Sequence, residues 1–254
     1  MHTTSHTAVQ RTDVMASRIP GGSSAASAHV QRIADELKLL QATLNPARRI
    51  VHAGDVLYRY GERFEQLHVL NSGCFKLLSV SESGDEQIVG LKFRGDWLGF
   101  SGIARGSHAC DAIAMDTSEV WTLRYDALLQ ACAEEPRLMA LVHEAMSSEI
   151  MRDREAKTAL CTLPADARVA TFLHDWAGSL AMRGLRTDQI SLRLTRAEIG
   201  NYLGLTLETV SRVLSRLVRA RLIAFNEKSR RDICIPDFQA LGSFTSRPAA
   251  VGLH

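Results

Sequence analysis

The chain has 254 residues, 46% of them hydrophobic and 23% charged, the balance of an ordinary globular protein with a sizeable core. Collagen-like, mucin-like and wholly disordered architectures are excluded on that balance. The net charge of +2, from 30 Lys and Arg against 28 Asp and Glu, gives by itself no sign of a nucleic-acid partner.

Residues 1–28 are rich in Ser, Thr, Ala and His and read as a disordered tail, with no apolar run long enough for a signal peptide. No later stretch approaches the roughly 18–20 apolar residues that span a bilayer, so a cytoplasmic protein without a membrane partner is expected. Residues 29–45 place Ile33, Leu37, Leu40 and Leu44 at helical spacing, a short amphipathic helix. From about 46 to 128 the pattern changes to short alternating runs such as His68-Val69-Leu70 and Phe75-Lys76-Leu77-Leu78, punctuated by glycines and by a turn at Ser83-Gly84-Asp85. Short strands at this spacing without intervening helices predict a small antiparallel barrel or jelly roll, so 29–135 forms one β domain with a leading helix.

A long helix follows from Pro136, which suits a first turn. Leu138, Leu141, Val142 and Ala145 form one stripe, and Met139, Met146, Ile150 and Asp153 form a second. Two stripes exceed what one barrel surface covers, so the second is a candidate homodimer seam, the alternative being a helix buried by its own domain. Asp153 would there face its symmetry mate, and like charges would weaken the dimer unless Arg152 or Arg154 shields them. This helix and its hinge occupy 136–163, with Pro164 opening a last domain to about 240 and a flexible tail at 241–254.

The sharpest pattern lies at 195–217, TRAEIGNYLGLTLETVSRVLSRL. Thr195 and Glu198 make a capping box, Gly204 permits a left-handed turn, and Thr206 caps a second helix running to about Arg219. Ile199, Leu203, Leu205, Val210 and Val213 fill the space between the helices, the arrangement of a helix-turn-helix. Glu208, Ser211 and Arg212 share the outward face near the start of the second helix, where side chains enter the major groove. Arg212 can fork onto guanine, Glu208 can accept from a cytosine amino group, and Ser211 can serve a base or a phosphate. Thr206, Thr209 and Arg216 are candidates for the phosphate backbone. Residues 222–225 and 233–235 read as two strands of a β wing, whose loop brings Lys228, Arg230 and Arg231 to the backbone. A hairpin with a merely solvated basic face is the competing reading. Charge favours DNA: residues 165–254 carry 13 cations against eight acids, a net +5, leaving −3 on residues 1–164.

The order of barrel, long helix and winged helix-turn-helix resembles the cyclic-AMP receptor protein/FNR family of transcription regulators, over about 29–240. Gly84-Asp85-Glu86-Gln87-Ile88, Gly95-Asp96-Trp97-Leu98-Gly99-Phe100, Ile199-Gly200-Asn201-Tyr202-Leu203-Gly204-Leu205-Thr206 and Glu208-Thr209-Val210-Ser211-Arg212 are similar to its FNR and FixK branch. The resemblance implies an α+β fold of a cyclic-nucleotide-binding-like jelly roll, a long dimerisation helix and a C-terminal winged helix-turn-helix. It further implies a palindrome of type TTGAT-N4-ATCAA, activation in oxygen, redox or nitrogen-oxide physiology, and RNA polymerase contact through Ser81, Glu82, Gly84 and Asp85.

The chain departs from the branch in its sensing residues. Residues 1–45 hold no cysteine, and Trp121 stands where the barrel ligand of an iron–sulfur cluster would be, while such clusters need thiolates. Cyclic-nucleotide binders carry an arginine in the segment that reads Ser107-His108-Ala109-Cys110-Asp111 here. Neither an iron–sulfur cluster nor cyclic AMP is therefore expected, though a small-ligand-responsive regulator using a cyclic nucleotide or haem stays open. Five scattered cysteines without a CxxC argue against disulfides and zinc, and the histidines show no metal-binding pair. Without a histidine metal set, an enzyme built on the barrel is not expected. Cys110 is the candidate redox thiol, if His108 lowers its pKa.

Overall fold

The computed structural model describes residues 22–226 and 229–245. Helix α1 spans Gly22–Leu44 and therefore begins within the segment expected to be tail. Helix propagation from the amphipathic part through the Ser- and Ala-rich residues before it costs little once a nucleus exists. Ile33, Leu37 and Leu40 are its buried positions, as the spacing predicts.

Eight strands make the barrel: β1 Ala47–Val51, β2 Val56–Tyr58, β3 Gln66–Ser72, β4 Cys74–Val80, β5 Glu86–Phe93, β6 Trp97–Leu98, β7 Asp111–Ala114 and β8 Ser118–Arg124. They pair antiparallel in two four-stranded sheets, ordered β1-β8-β3-β6 and β2-β7-β4-β5. A short helix α2, Ser101–Arg105, crosses between β6 and β7, and α3, Tyr125–Glu134, follows β8. Period-two alternation puts Phe75 and Leu77 of β4 into the barrel interior with Tyr58, Leu70 and Val120. The opposite face of the same strand, Cys74 and Leu78, joins Ile88 and Phe93 of β5 in a core shared with the C-terminal domain. A register shift between Leu77 and Leu78 lets β5 keep Ile88 on that outer face while Lys92 pairs across from Phe75.

Helix α4, Pro136–Thr162, starts at Pro136 with Glu135 as cap, its side chain accepting from Arg137 N at 3.0 Å. Leu138 and Leu141 pack against the barrel and α1. The second stripe stays open: Met139, Ile150 and Asp153 are exposed and Met146 half-buried. The helix is thus not buried by its own domain. After Leu163-Pro164 come α5 Ala165–Ala181, β9 Gln189–Ser191, α6 Arg196–Leu203, α7 Leu207–Arg219, β10 Ala224–Asn226, β11 Ser229–Cys234 and α8 Phe238–Thr245. The last helix runs into the segment expected to be a flexible tail. Asp237 caps it by accepting from Gln239 N and Ala240 N at 2.9 Å, and Leu241 is fully buried against α5.

Barrel, long helix and C-terminal domain meet at Asp96. Its buried carboxylate accepts from Arg152 Nη1 of α4 at 2.8 Å, Arg183 Nη2 after α5 at 3.2 Å, and Phe93 N at 2.8 Å. Burial alone would raise its pKa, but Arg183, Arg152 and Lys92 together hold it below the usual carboxylate range. Beside it, Lys92 Nζ meets Glu149 Oε2 of α4 at 2.9 Å. Arg152 is therefore turned toward the barrel, though Asp153 still lies close enough to act on its charge. Arg183 has no other carboxylate among its described partners, and its buried guanidinium also donates to Arg94 O and Ser179 O.

Two stability predictions follow from this interior. Asp96→Ala leaves Arg183 buried without a counter-charge and should cost about 3–5 kcal/mol in denaturant unfolding. His68 is buried, shares a hydrogen bond with Thr122 Oγ1 at 3.0 Å, and has its pKa held down to about 4, chiefly by burial and then by His108 and Arg49. Its neutral form is the folded one, so its contribution is complete above the unfolded value near 6.5 and is lost as pH falls from there toward 4. About 3 kcal/mol of acid destabilisation should come from this residue, and unfolding midpoints of His68→Gln should fall less between pH 7 and pH 5 than those of the parent.

Candidate nucleic-acid interface

The C-terminal domain is built around α6 and α7. Thr195 accepts from Glu198 N, and Glu198 Oε2 accepts in return from Thr195 N at 2.7 Å, the reciprocal capping box predicted from the spacing. Gly204 ends α6 at φ +62, the left-handed turn. A Cβ on Gly200 would lie 2.5 Å from Leu205 O, so only glycine lets the turn close onto α6. Thr206 caps α7 by accepting from Thr209 N at 3.2 Å. Val210, Val213, Leu214 and Leu217 are buried.

The outer face of α7 carries the predicted readers. Glu208 and Arg212 are exposed, one turn apart, with Ser211 half-buried between them. Arg212 Nη2 donates to Thr209 Oγ1 at 3.2 Å, and Thr209 and Thr206 hydroxyls lie 3.1 Å apart. A guanidinium, a carboxylate and hydroxyls therefore converge at the N-terminal turn, a set able to address base edges and phosphates together. Arg216, expected on the DNA backbone, is paired with Asp166 at the start of α5.

The wing consists of β10 and β11, with β9 added on the far side of β11 as a third strand that the sequence reading did not include. Strand β11 begins earlier than expected, at Ser229, and Arg231 on it is exposed. The backbone at Arg230 belongs to β11, while its side chain and Lys228 lie outside the described residues.

Sequence reasoning missed Arg196. Its Nη1 donates to Ser211 Oγ at 3.2 Å, and its guanidinium lies 5.7 Å from the Phe225 ring centroid, tying α6, the recognition helix and the wing. Asn201, within the family-like motif, carries contacts to the barrel as well. A short α6 read for its caps and apolar positions gives no signal for either.

On the sensory side, the barrel position compared above with a cluster ligand is held by an indole and not a thiolate. Trp121 is buried among Ile33, Leu37 and Leu128, its indole donates to Glu119 Oε1 at 2.9 Å, and Arg48 stacks on it at 5.1 Å. Among the described residues no group of three His, Cys, Asp or Glu is placed to hold a metal ion. The redox expectation for Cys110 is corrected: the thiol is buried and its pKa is pushed up to about 11, first by burial. His108, whose own pKa burial lowers, does not activate it but stacks on Tyr58 at 3.8 Å. The hairpin tip at Ser81, Glu82, Gly84 and Asp85 is exposed, and Ser81 Oγ accepts from Asp85 N at 3.0 Å.

Residues 167–244 match the Crp-like helix-turn-helix domain family, and 48–135 match the cyclic nucleotide-binding domain family. Transcriptional activator protein Anr of Pseudomonas protegens is 37% identical over 180 residues, covering 71% of this chain and 74% of that protein. The fumarate and nitrate reduction regulatory protein of Yersinia pestis is 32% identical over 201 residues, 79% of each chain. The solved structure of FixK2 from Bradyrhizobium japonicum superposes with a TM-score of 0.71 at 25% identity, covering 80% of this chain and 99% of that one. No helix among the described residues is long and apolar enough to cross a membrane. With its cyclic-nucleotide-binding-like barrel, long helix and helix-turn-helix, the chain belongs to the cyclic-AMP receptor protein/FNR family of DNA-binding transcription regulators.

Proposed function

We propose that the chain acts in the cytoplasm as a homodimer that reads a TTGAT-N4-ATCAA-type palindrome and activates transcription in oxygen-, redox- or nitrogen-oxide-linked control. The observation that carries this reading is the outer face at the start of α7, with Glu208 and Arg212 exposed and Ser211 half-buried between them. The printed names of similar proteins, a transcriptional activator and a fumarate and nitrate reduction regulator, support the physiology. The open stripe of Met139, Met146, Ile150 and Asp153 supports pairing with a second copy. Thr206, Thr209, Arg216, Lys228, Arg230 and Arg231 are the proposed backbone contacts, with Arg216 exchanging Asp166 for phosphate. Polymerase is proposed to meet the loop of Ser81, Glu82, Gly84 and Asp85, which is exposed at the tip of the β4–β5 hairpin.

The input is proposed to work without a resident iron–sulfur cluster and without cyclic AMP. Two observations support this: Trp121, which stands where the resemblance puts a cluster ligand, is a buried indole, and the Asp96 carboxylate is engaged by two arginines. An absorption spectrum of anaerobically purified protein tests this, a featureless visible region being the expected outcome for cluster and haem alike.

In gel shifts, the palindrome with half-sites about one helical turn apart should bind in preference to a scrambled duplex. Arg212→Ala or Glu208→Ala should lose roughly 1–3 kcal/mol of discrimination at one C·G pair per half-site. In sedimentation equilibrium, Asp153→Ala should dimerise more tightly than the parent, because a like-charge contact on the seam is removed.

A further inference from the structure

Strand β5 lies at the edge of its sheet, so the outward N–H and C=O groups of alternate residues have no strand to pair with. Asn201 of α6 takes that place. Its Oδ1 accepts from Ile88 N at 2.6 Å, and its Nδ2 donates to Glu86 O at 2.6 Å, so one carboxamide satisfies two successive edge groups. Gln87 Nε2 donates back to Asn201 O at 2.5 Å. One turn away, Lys76 Nζ of β4 contacts Glu198 Oε1 at 2.5 Å, while the other oxygen of that carboxylate closes the capping box. Burial would raise the pKa of Glu198, but Lys76 and the Thr195 donors hold it below the usual carboxylate range.

We propose that Asn201 and Glu198 are positioning residues for DNA binding, which fix the angle of the recognition helix relative to the barrel and the dimer helix. The inference rests on the palindrome reading given above and deepens it. Its basis is the division of labour at this junction. The apolar contact, including Phe93 against Trp176 at 5.2 Å, supplies adhesion without direction. The hydrogen bonds of Asn201 and Glu198 supply direction. Helix α6 in turn is locked to α7, since Leu205 N donates to Gly200 O at 2.8 Å and Gly200 admits no side chain there. Whatever holds α6 on β5 therefore aims Glu208 and Arg212. Between α4 and α5 the chain itself is only Leu163-Pro164, so apart from the Asp96–Arg183 and Asp116–Arg193 ion pairs it is this dock that sets the angle of the domain.

An oriented pair of reading heads engages two half-sites at one spacing, whereas a tethered pair tolerates several. Full-length parent, Asn201→Ala and the barrel-side double variant Lys76→Ala/Gln87→Ala are titrated onto three duplexes: the N4 palindrome, an N6 palindrome and one isolated half-site. The N4-over-N6 preference should fall by about tenfold in both variants, with half-site affinity unchanged. Asn201→Asp keeps the acceptor for Ile88 N and loses the donor to Glu86 O, so its preference should lie between. The barrel-side variant alters nothing inside the helix-turn-helix, so a folding defect of that domain cannot produce the result. An unchanged N4-over-N6 ratio overturns the inference, as does an equal loss on palindrome and half-site by the barrel-side variant. Small-angle scattering without DNA separates this from failure of the palindrome reading. Variants should show a larger radius of gyration than the parent, and superimposable curves overturn the positioning role whatever sequence the protein binds.

Discussion

A carboxylate removed from water is tolerated only when its charge is met, and at Asp96 the partners come from two directions. Arg152 reaches it from the long helix and Arg183 from beyond α5, while the carboxylate itself sits in the turn after β5. The C-terminal domain cannot leave the barrel without stranding the buried charges of Asp96 and Arg183. The Lys92–Glu149 pair is a second ion pair joining barrel and long helix. The relative placement of barrel, long helix and helix-turn-helix thus depends on a few charges in low-dielectric surroundings, where attraction is strong and substitution is costly.

Around this node the surfaces are assigned by periodicity. Strand β4 serves two cores at once, since Phe75 and Leu77 fill the barrel while Cys74 and Leu78 hold the C-terminal domain. Helix α4 likewise gives Leu138 and Leu141 to the barrel and leaves Ile150, 49% exposed, for another surface. Helix α7 keeps its apolar residues inside and presents Glu208 and Arg212 outside. Both faces of β4 hold the molecule together, whereas α4 and α7 each keep one face inside and leave the other open to solvent.

Most of this was legible in the sequence where the signal is local. The capping box at Thr195 and Glu198, the glycine turn at Gly204 and the inward register of Val210 and Val213 all depend on neighbours a few residues away. The barrel was legible as a class, because alternation and glycine punctuation mark strands, but the order β2-β7-β4-β5 depends on pairings far apart in the chain. The Asp96 node, the Arg196–Ser211 contact and the seating of Asn201 on β5 join residues distant in sequence, and no spacing rule announces them. Cys110 shows the opposite failure. The histidine two residues before it suggested activation, whereas burial within the barrel decides the thiol's protonation.

The seating of the helix-turn-helix on β5 also bears on solubility. An unpaired strand edge is a template for association with other chains, and here Asn201 covers it while the C-terminal core covers Cys74, Leu78, Ile88 and Phe93. A barrel expressed without its DNA-binding domain would present that edge and that apolar face together to other copies of itself. The helix-turn-helix domain is therefore also the barrel's protection against aggregation, and the barrel half of this chain is not a unit that can be cut free without consequence.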